Sequence, residues 1–265
     1  MRVYALSGAS GTGKSTVALE FAYQHNIQAI IDDGLLIVNG EKKAGTSAKF
    51  EKNALTAVRR AIFEEDIHRE EVRLKIEQLQ VESILIIGTS EKMTNKIAKR
   101  LKLEPIDHRY LIEDIRSEKE IQLAKFVRTT QGKHVMPIPL SQVEQNFFKR
   151  IVQRGKEIFF QAMKIGETTI VRPDFHQETV EISRAVYVQL INYELSKNTM
   201  VKKFEVQKLS LQVLPAIQIA IYLRAPVHYN VPDVVKQMQQ QIEKSFEAHF
   251  GIGTEKIDMI VKGIR

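Results

Sequence analysis

The sequence contains no cysteine, so disulfide bonds and all metal sites built on thiolates are excluded. Its seven histidines are scattered between His25 and His249 without the short spacing of metal ligands, and we expect no structural metal. No apolar run approaches the roughly 20 residues that a bilayer requires, and no signal-like run develops before Gly8. These absences predict a cytoplasmic protein without direct membrane insertion.

A concentrated basic arm is also missing, although the formal net charge is +7. From position 171 onward twelve basic residues accompany ten acidic ones, so the basic excess is spread along the chain. This distribution argues against nucleic acid as a partner. The length of 265 residues and the hydrophobic content of 43% are enough for one large domain or two modest ones with their own cores.

Short apolar runs alternate with helical patterns in the first third of the chain, which is typical of βαβ units and a parallel sheet. Strands are predicted at residues 3–6, 29–31 and 83–87, and a helix at 16–24. The stretch 48–80 is polar and helical with an interruption near 65–68, and another helix follows the third strand. The first domain is therefore expected to be α/β, with helices flanking a parallel sheet.

A weaker fourth strand is predicted at 106–112, followed by a helix that Gly132 closes. Residues 134–139 contain two prolines without ladder donors, so they form a short edge strand or an extended connector. A long amphipathic helix is then expected from Val143 to Met163, and Gly166 ends it. We place the boundary there, with domains at 1–166 and 167–265.

The pattern beyond this boundary predicts a small α+β domain. It contains a strand at 169–171, a helix through Val186, two alternating strands near 206–214 and 217–223, a helix at 232–249 and a strand at 257–261. No nucleophile, general base or ligand cluster stands out in this half. It is expected to be a binding module.

The strongest motif is Gly8-Ala-Ser-Gly-Thr-Gly-Lys14-Ser15, which matches the phosphate-loop pattern G-x-x-x-x-G-K-[ST] between a strand and a helix. Lys14 is expected beside the β and γ phosphates as a catalytic cation, and the Ser15 hydroxyl on Mg²⁺. ATP and Mg²⁺ are the expected cofactors, with ATP against GTP left open. Nucleotide contacts are predicted for Gly8, Ser10, Gly11, Thr12, Gly13, Lys14, Ser15 and Thr16.

Two carboxylates, Asp32 and Asp33, follow the second strand at the carboxyl edge of the predicted sheet. One of them is expected to be catalytic as a general base, and Asp33 is expected to join Ser15 on Mg²⁺. The alternative is a solvated Asp-Asp-Gly turn without chemistry. The third strand ends in Gly88-Thr89-Ser90 and lacks the acid that many phosphate-loop proteins carry there, which weakens a hydrolase assignment.

A group of cations lies around the end of the helix before Gly132: Lys125, Arg128 and Lys133. Arg128 is the candidate that closes over the phosphates late in the reaction. The alternative is a favourable placement of cations at a helix C-terminus. Arg59 and Arg60 rank lower, because a charge pair on a helix is usually a solvated face.

The run from Gly8 to Asp33 is similar to the opening of small-molecule kinases of the dephospho-coenzyme A and nucleoside kinase type. That resemblance implies that Asp32 or Asp33 binds or activates the acceptor. It covers about the first 35 residues, and the lid signature of those kinases is not evident later in the chain.

Residues 169–264 resemble the alkaline-shock-protein family of bacterial envelope-stress proteins. The similar segments are Ile217-Gln-Ile-Ala-Ile-Tyr222, Tyr229-Asn-Val-Pro232, Phe250-Gly251 and Ile257-Asp-Met-Ile-Val-Lys-Gly-Ile264. Asn230 stands where the family usually has glycine, and asparagine also tolerates a left-handed conformation. The resemblance implies protein partners and brings no catalytic residues.

The leading interpretation is a Mg²⁺-dependent ATP-binding protein with weak ATPase activity, whose C-terminal domain binds a partner in bacterial stress or envelope physiology. The alternative is a small-molecule kinase that transfers the γ-phosphate of ATP to a nucleoside or coenzyme-like acceptor. That acceptor would lie between Asp32 or Asp33 and the helical insertion. The sequence leaves the acceptor, the protein partner and a homo-oligomer open.

Overall fold

The computed structural model describes residues 1–143, 151–154, 158–160, 163–173, 175, 180–211 and 214–265. Within these ranges the chain divides into two compact units, Met1–Thr179 and Val180–Arg265. None of the described helices combines the length and the apolar character that a membrane span needs.

A six-stranded sheet forms the centre of the first unit, and β1, β2, β5 and β6 run parallel within it. Its strands in chain order are β1 (Arg2–Ser7), β2 (Ala29–Asp32), β3 (Leu35–Val38), β4 (Glu41–Gly45), β5 (Ser83–Gly88) and β6 (His108–Leu111). The order across the sheet is β4-β3-β2-β5-β1-β6. The prediction of an α/β fold with a mostly parallel sheet is confirmed.

Helices cover both faces of this sheet. They are α1 (Lys14–Gln24), α2 (Ala54–Ala61), α3 (Asp66–Gln78), α4 (Glu91–Arg100) and α5 (Glu118–Gln131). Leu85 and Ile87 of β5 belong to the core cluster that includes α1, whereas Ile84 and Ile86 belong to the cluster that includes α3 and α4. Burial on both faces explains why β5 is a continuous apolar run in the sequence.

The antiparallel strands β3 and β4 were not predicted, and each is joined to its predecessor by a two-residue turn. Asp33 and Gly34 have φ of 47° and 89°, and Asn39 and Gly40 have φ of 52° and 74°. Two consecutive positive φ values are typical of type I′ turns, for which Asp-Gly and Asn-Gly are the preferred pairs. The Asp-Asp-Gly turn was expected, but the hairpin that it opens was missed.

The long helix predicted from Val143 to Met163 is wrong where the structure describes that range. The backbone instead forms β8 (Ile151–Arg154), β9 (Ile158–Phe160) and β10 (Met163–Gly166). Many residues in these strands are β-branched or aromatic, and such residues favour strands. Pairing decides the outcome, because β8 joins β11 (Thr169–Val171) and β9 pairs with β10. The other residues of the predicted helix, 144–150, 155–157 and 161–162, lie outside the described ranges.

The domain boundary lies later than the predicted position after Gly166. Strand β11 pairs with β8 on one side and with β7 (His134–Met136) on the other, so it belongs to the first unit. In the resulting order, β7-β11-β8, strand β7 lies at an edge and ends just before Pro137, which agrees with the prediction of a short edge strand. The division after Thr179 therefore follows from strand pairing. The change in hydrophobic period after Gly166, on which the predicted boundary was based, gives no information about that pairing.

The second unit is a three-stranded sheet with two helices. Its elements are α6 (Arg184–Ser196), β12 (Val201–Ser210), β13 (Ala216–Leu223), α7 (Val231–Phe250) and β14 (Lys256–Ile264). Strand β13 pairs antiparallel with β12 and parallel with β14, so the small α+β unit is confirmed. Asn230 does not adopt the expected left-handed conformation: its φ is −74°, and its side chain caps α7 by accepting a hydrogen bond from the Asp233 N–H at 3.1 Å.

We expect a fragment of residues 180–265 to unfold cooperatively by itself, because buried residues of β13 and α7 give it a core of its own.

A fragment of residues 1–166 should melt several degrees below one of residues 1–179, since it lacks β11, and each kcal/mol lost corresponds to about 2–4 °C. Thermal circular dichroism measures both effects. Equal melting temperatures for the two N-terminal fragments would contradict the place of β11 in the first unit.

Candidate functional site

A cavity of about 650 Å³ opens in the first unit around the phosphate-loop motif. The start of α1, the end of β2, the end of β5, α2 and α5 all contribute residues to its lining. Parallel sheets place the carboxyl ends of their strands at one edge, which is where ligands bind in open α/β folds. The cavity therefore lies where the sequence predicted the chemistry.

The loop between β1 and α1 is held in shape by its own hydrogen bonds. Gly13 has φ 89° and stands immediately before α1, and a Cβ at this position would collide with the guanidinium of Arg116. The Thr12 hydroxyl donates to the Ala9 carbonyl at 2.8 Å. The first amides of α1 have no acceptor within the helix, and this turn lines the cavity. Such an arrangement is suited to an anion.

Lys14 is buried, and its ammonium donates to the carbonyls of Gly8 and Ala9, both at 2.7 Å. Burial lowers the pKa of Lys14 to about 8, although Asp32 and Asp33 act in the opposite direction. A phosphate next to this ammonium would favour its charged form. The side chain is therefore placed to respond to an anion in the loop.

Asp32 and Asp33 are joined by a lysine that the sequence did not single out. The Lys49 ammonium lies 3.2 Å from Asp32 Oδ2 and 2.8 Å from Asp33 Oδ2. The side chains of Lys49 and Asp32 are 5% and 3% exposed, whereas that of Asp33 is 35% exposed. Lys49 lies in a 3-10 turn, Ala48–Phe50, and the Ala48 N–H donates to the Asp33 carbonyl at 2.8 Å.

The shared ammonium lowers the pKa of both carboxyl groups, but the two pKa values shift in opposite directions overall. Burial raises the pKa of Asp32, although Lys49 and a hydrogen bond from the Ser15 hydroxyl stabilise its charge. Burial also opposes the charge of Asp33, but Lys49, Arg128 and Lys14 together hold the pKa of Asp33 below its usual range. Asp33 is therefore ionised at neutral pH and partly open to the cavity.

The Ser15 hydroxyl stabilises the charge of Asp32, whereas the sequence had paired Ser15 with Asp33 as metal ligands. A hydroxyl and a carboxylate are oxygen ligands of the kind that Mg²⁺ prefers. Magnesium usually binds through one or two carboxylates together with substrate phosphates rather than in an all-protein cage. In keeping with that, the described residues contain no group of three acidic or histidine side chains placed to hold a metal by themselves.

Two arginines approach the loop, Arg128 from α5 and Arg116 from the segment just before it. The stem of Arg128, which the sequence singled out, lies beside Gly11, with its Cδ 3.6 Å from the position of a Cβ there. Burial lowers the pKa of Arg128, and Asp33 opposes this effect. Arg116 was missed; its Nε is buried and lies 3.9 Å from Glu120 Oε1, too far for a hydrogen bond. The sequence does contain a signal for the position of Arg116. The capping box Ser117-x-x-Glu120 marks the start of α5, and Arg116 directly precedes it.

The other cations considered in the sequence differ in whether they line the cavity. Lys133 lines the cavity, but Lys125 does not. Arg60 is engaged with Glu51 and Glu65, both at 2.8 Å, and neither it nor Arg59 lines the cavity. Their low ranking agrees with this placement. Gly88 and Thr89 line the cavity at the end of β5, so no acid from that strand reaches it, as the sequence indicated.

Comparison with known proteins identifies no relative: no protein-family model matches the chain, and no curated protein sequence matches it. The two segmental resemblances remain predictions. The functional assignment consequently depends on the geometry of the cavity.

Replacing Lys49 with Met is expected to lower the free energy of unfolding by roughly 3–5 kcal/mol, because it leaves Asp32 buried without its counter-charge. Lys43→Met is the matched control, since Lys43 pairs with Glu41 at the surface and such pairs contribute at most about 1 kcal/mol. Urea denaturation at pH 7 measures both. Equal losses in the two variants would show that the Asp32–Lys49–Asp33 group is not a buried charge cluster in solution.

Proposed function

We propose that the first unit binds Mg·ATP and transfers its γ-phosphate to a small acceptor in the same cavity. One observation carries this proposal: most of the glycine-rich loop, Lys14, Ser15, Asp32 and the partly exposed Asp33 all line one cavity. ATP is supplied in the cytoplasm, so the proposal places the protein there.

The phosphates would lie along the loop from Gly8 to Thr16, with Lys14, Arg116 and Arg128 as the nearest cations. Ser15 and Asp32 would hold Mg²⁺, which neutralises charge on the β and γ phosphates when bound. Asp32 is suited to this role because it lines the same cavity as Ser15, which stabilises its charge. Asp33 remains available to the acceptor.

In this reaction the acceptor hydroxyl oxygen forms a bond to the γ-phosphorus, and the bond from that phosphorus to the β,γ-bridging oxygen breaks. ADP leaves with the electron pair, and the hydroxyl proton passes to the carboxylate of Asp33 and then to solvent. Lys49 keeps Asp33 ionised, so that it can accept this proton. We favour transfer to an acceptor over hydrolysis as the reaction, because apolar side chains of α2 line the same cavity as the carboxylates and leave room for an acceptor.

The second candidate is the nucleotide-governed binding device, a weak ATPase whose C-terminal unit binds a protein partner. It is supported by apolar side chains at the surface of that unit: Val186, Tyr193 and Ile264 are 42%, 58% and 52% exposed. ATP turnover that rises with a small acceptor favours the kinase. Turnover that rises only with a protein partner favours the device.

The Mg·ATP affinity of the wild-type protein is expected to fall as the pH rises above about 8, because free Lys14 loses its proton there. Binding above this pH must then take up a proton, which weakens affinity by up to about tenfold per pH unit. Lys14→Ala should bind at least roughly tenfold more weakly at pH 7 and lack this dependence. Calorimetry in two buffers of different ionisation enthalpy measures both quantities. Equal dissociation constants for the two folded proteins would contradict the phosphate-loop assignment.

Substituting Asp32 and Asp33 one at a time should show which of them acts as the base and which binds Mg²⁺. Asp33→Asn is expected to slow ADP formation by roughly 10²–10⁴ while leaving Mg·ATP affinity nearly unchanged, since a positioned general base contributes about that much. Asp32→Asn should instead raise the Mg²⁺ concentration that gives half-maximal turnover. If neither variant changes a measurable wild-type turnover, the Asp-Asp-Gly segment is only a turn.

A further inference from the structure

His68 is buried in the first turn of α3 and does not line the cavity. Its ring stacks on Phe63, with the ring centroids 4.9 Å apart and an angle of 22° between the planes. The imidazole Nε2 lies 2.8 Å from the Gly34 carbonyl oxygen and 3.2 Å from the Thr46 amide nitrogen. A buried polar side chain thus contacts the backbone directly after Asp33.

The two backbone groups that His68 contacts lie at the same end of the β3–β4 hairpin. Gly34 directly precedes β3 and Thr46 directly follows β4, and the antiparallel pairing of these strands brings them together. A Cβ on Gly34 would lie 2.6 Å from the Thr46 carbonyl oxygen and 3.1 Å from His68 Cε1. This close packing leaves the turn that carries Asp33 little room to shift.

The contact with His68 lies one residue from the ion pair of the site. The carboxylate of Asp33 is 2.8 Å from the Lys49 ammonium, and the Asp33 carbonyl accepts a hydrogen bond from the Ala48 N–H at 2.8 Å. Two consecutive carbonyls, those of Asp33 and Gly34, are thus held by Ala48 and His68 respectively. Backbone rotation at this turn would break one of these bonds, so together they restrict the direction of the carboxylate.

One neutral tautomer of His68 fits these contacts better than the other. Burial lowers the pKa of His68, although its hydrogen bond to the Gly34 carbonyl acts in the opposite direction, and the ring is neutral at pH 7. A proton on Nε2 is donated to the Gly34 carbonyl. A proton on Nδ1 would instead be buried without an acceptor among the described residues, and Nε2 would face the carbonyl as a second acceptor.

We propose that His68 is a positioning residue, which holds the backbone at Gly34 and thereby keeps the Asp33 carboxylate against Lys49 and directed at the acceptor. This inference rests on the proposed phosphotransfer function, in which Asp33 is the general base. A misplacement of about 1 Å can slow an enzyme roughly 10²-fold. Loss of the Nε2 donor should therefore slow turnover without weakening the binding of Mg·ATP.

Variants with and without a donor at position 68 test this role. His68→Leu and His68→Met remove the donor but keep an apolar side chain against Phe63, so either of them serves if the other does not fold. We expect kcat for ADP formation, with saturating Mg·ATP and water as the acceptor, to fall roughly 10–100-fold in both. His68→Gln should recover most of this loss, because its amide supplies an N–H donor. A wild-type kcat in either folded donor-free variant would overturn the inference.

Glu71→Leu is the matched control. Glu71 Oε1 accepts the Gly45 N–H at 3.0 Å, so α3 holds the same hairpin at a second point. This variant removes that hydrogen bond and leaves the contact between His68 and Gly34 in place. It should lower the melting temperature, whereas kcat should stay near the wild-type value. Equal losses of kcat in Glu71→Leu and His68→Leu would show that His68 contributes only to the stability of the hairpin.

A double variant tests whether the effect of His68 depends on Asp33. In an Asp33→Asn background, His68→Leu should change the single-turnover rate less than about twofold, because the base that His68 positions is absent. If the losses caused by the two substitutions multiply in full, His68 does not act through Asp33.

NMR spectroscopy tests the same contacts without turnover. Imidazole ¹H–¹⁵N spectra of the wild type should show His68 with a proton on Nε2 and none on Nδ1, and the other tautomer would overturn the inference. The ammonium resonance of Lys49 should shift in His68→Leu and return towards its wild-type position in His68→Gln. An unshifted resonance in His68→Leu would show that the ion pair does not depend on His68.

Calorimetry with Mg·ATP separates this inference from the proposed function. The wild type and all variants at positions 68 and 71 should have the same dissociation constant. If the wild type does not bind Mg·ATP, the proposed function fails, and the Lys49 resonance still decides whether His68 holds the ion pair. If the wild type binds Mg·ATP but kcat is insensitive to the donor at position 68, only the positioning role is wrong.

Discussion

The Lys49 ammonium holds together the part of the molecule on which the site depends. Two carboxylates that follow each other in the chain, one of them almost completely buried, would repel strongly without a counter-charge. Lys49 supplies it from a turn whose backbone is hydrogen-bonded to Asp33. The end of β2, the type I′ turn and the approach to α2 are thereby fixed relative to each other.

This arrangement also determines how the cavity is divided. Ser15, at the start of α1, stabilises the charge of the buried Asp32. Asp33 adopts a left-handed conformation, at φ 47°, and its side chain remains open to the cavity. Adjacent residues of the same type thus have different surroundings and different pKa directions, and a difference of this kind separates chemical roles in active sites.

Much of this could be predicted from the sequence because it depends on local patterns. The glycine-rich turn between β1 and α1, the order of β1, α1, β2 and β5, and the place of Asp32 and Asp33 all follow from short motifs and apolar runs. Lys49 could not be predicted, because it is one of many lysines and its role comes from burial against distant β2. The helix predicted across residues 151–166 was wrong for a related reason. The strands there form by pairing with β11 and with each other, and a helical pattern of apolar residues along the chain carries no information about such pairing.

The hairpin formed by β3 and β4 also determines where the sheet stops. Strand β4 is the outermost strand, and it carries Glu41, Lys42 and Lys43 in succession with a register irregularity against β3. Two of its amides are already satisfied by side chains: the Lys42 N–H donates to Gln142 Oε1 at 2.6 Å and the Gly45 N–H to Glu71 Oε1 at 3.0 Å. Charges, a bulge and occupied donors are the means by which edge strands resist addition of another strand. Assembly of this protein by continuing its sheet from one copy into the next is therefore disfavoured at this edge.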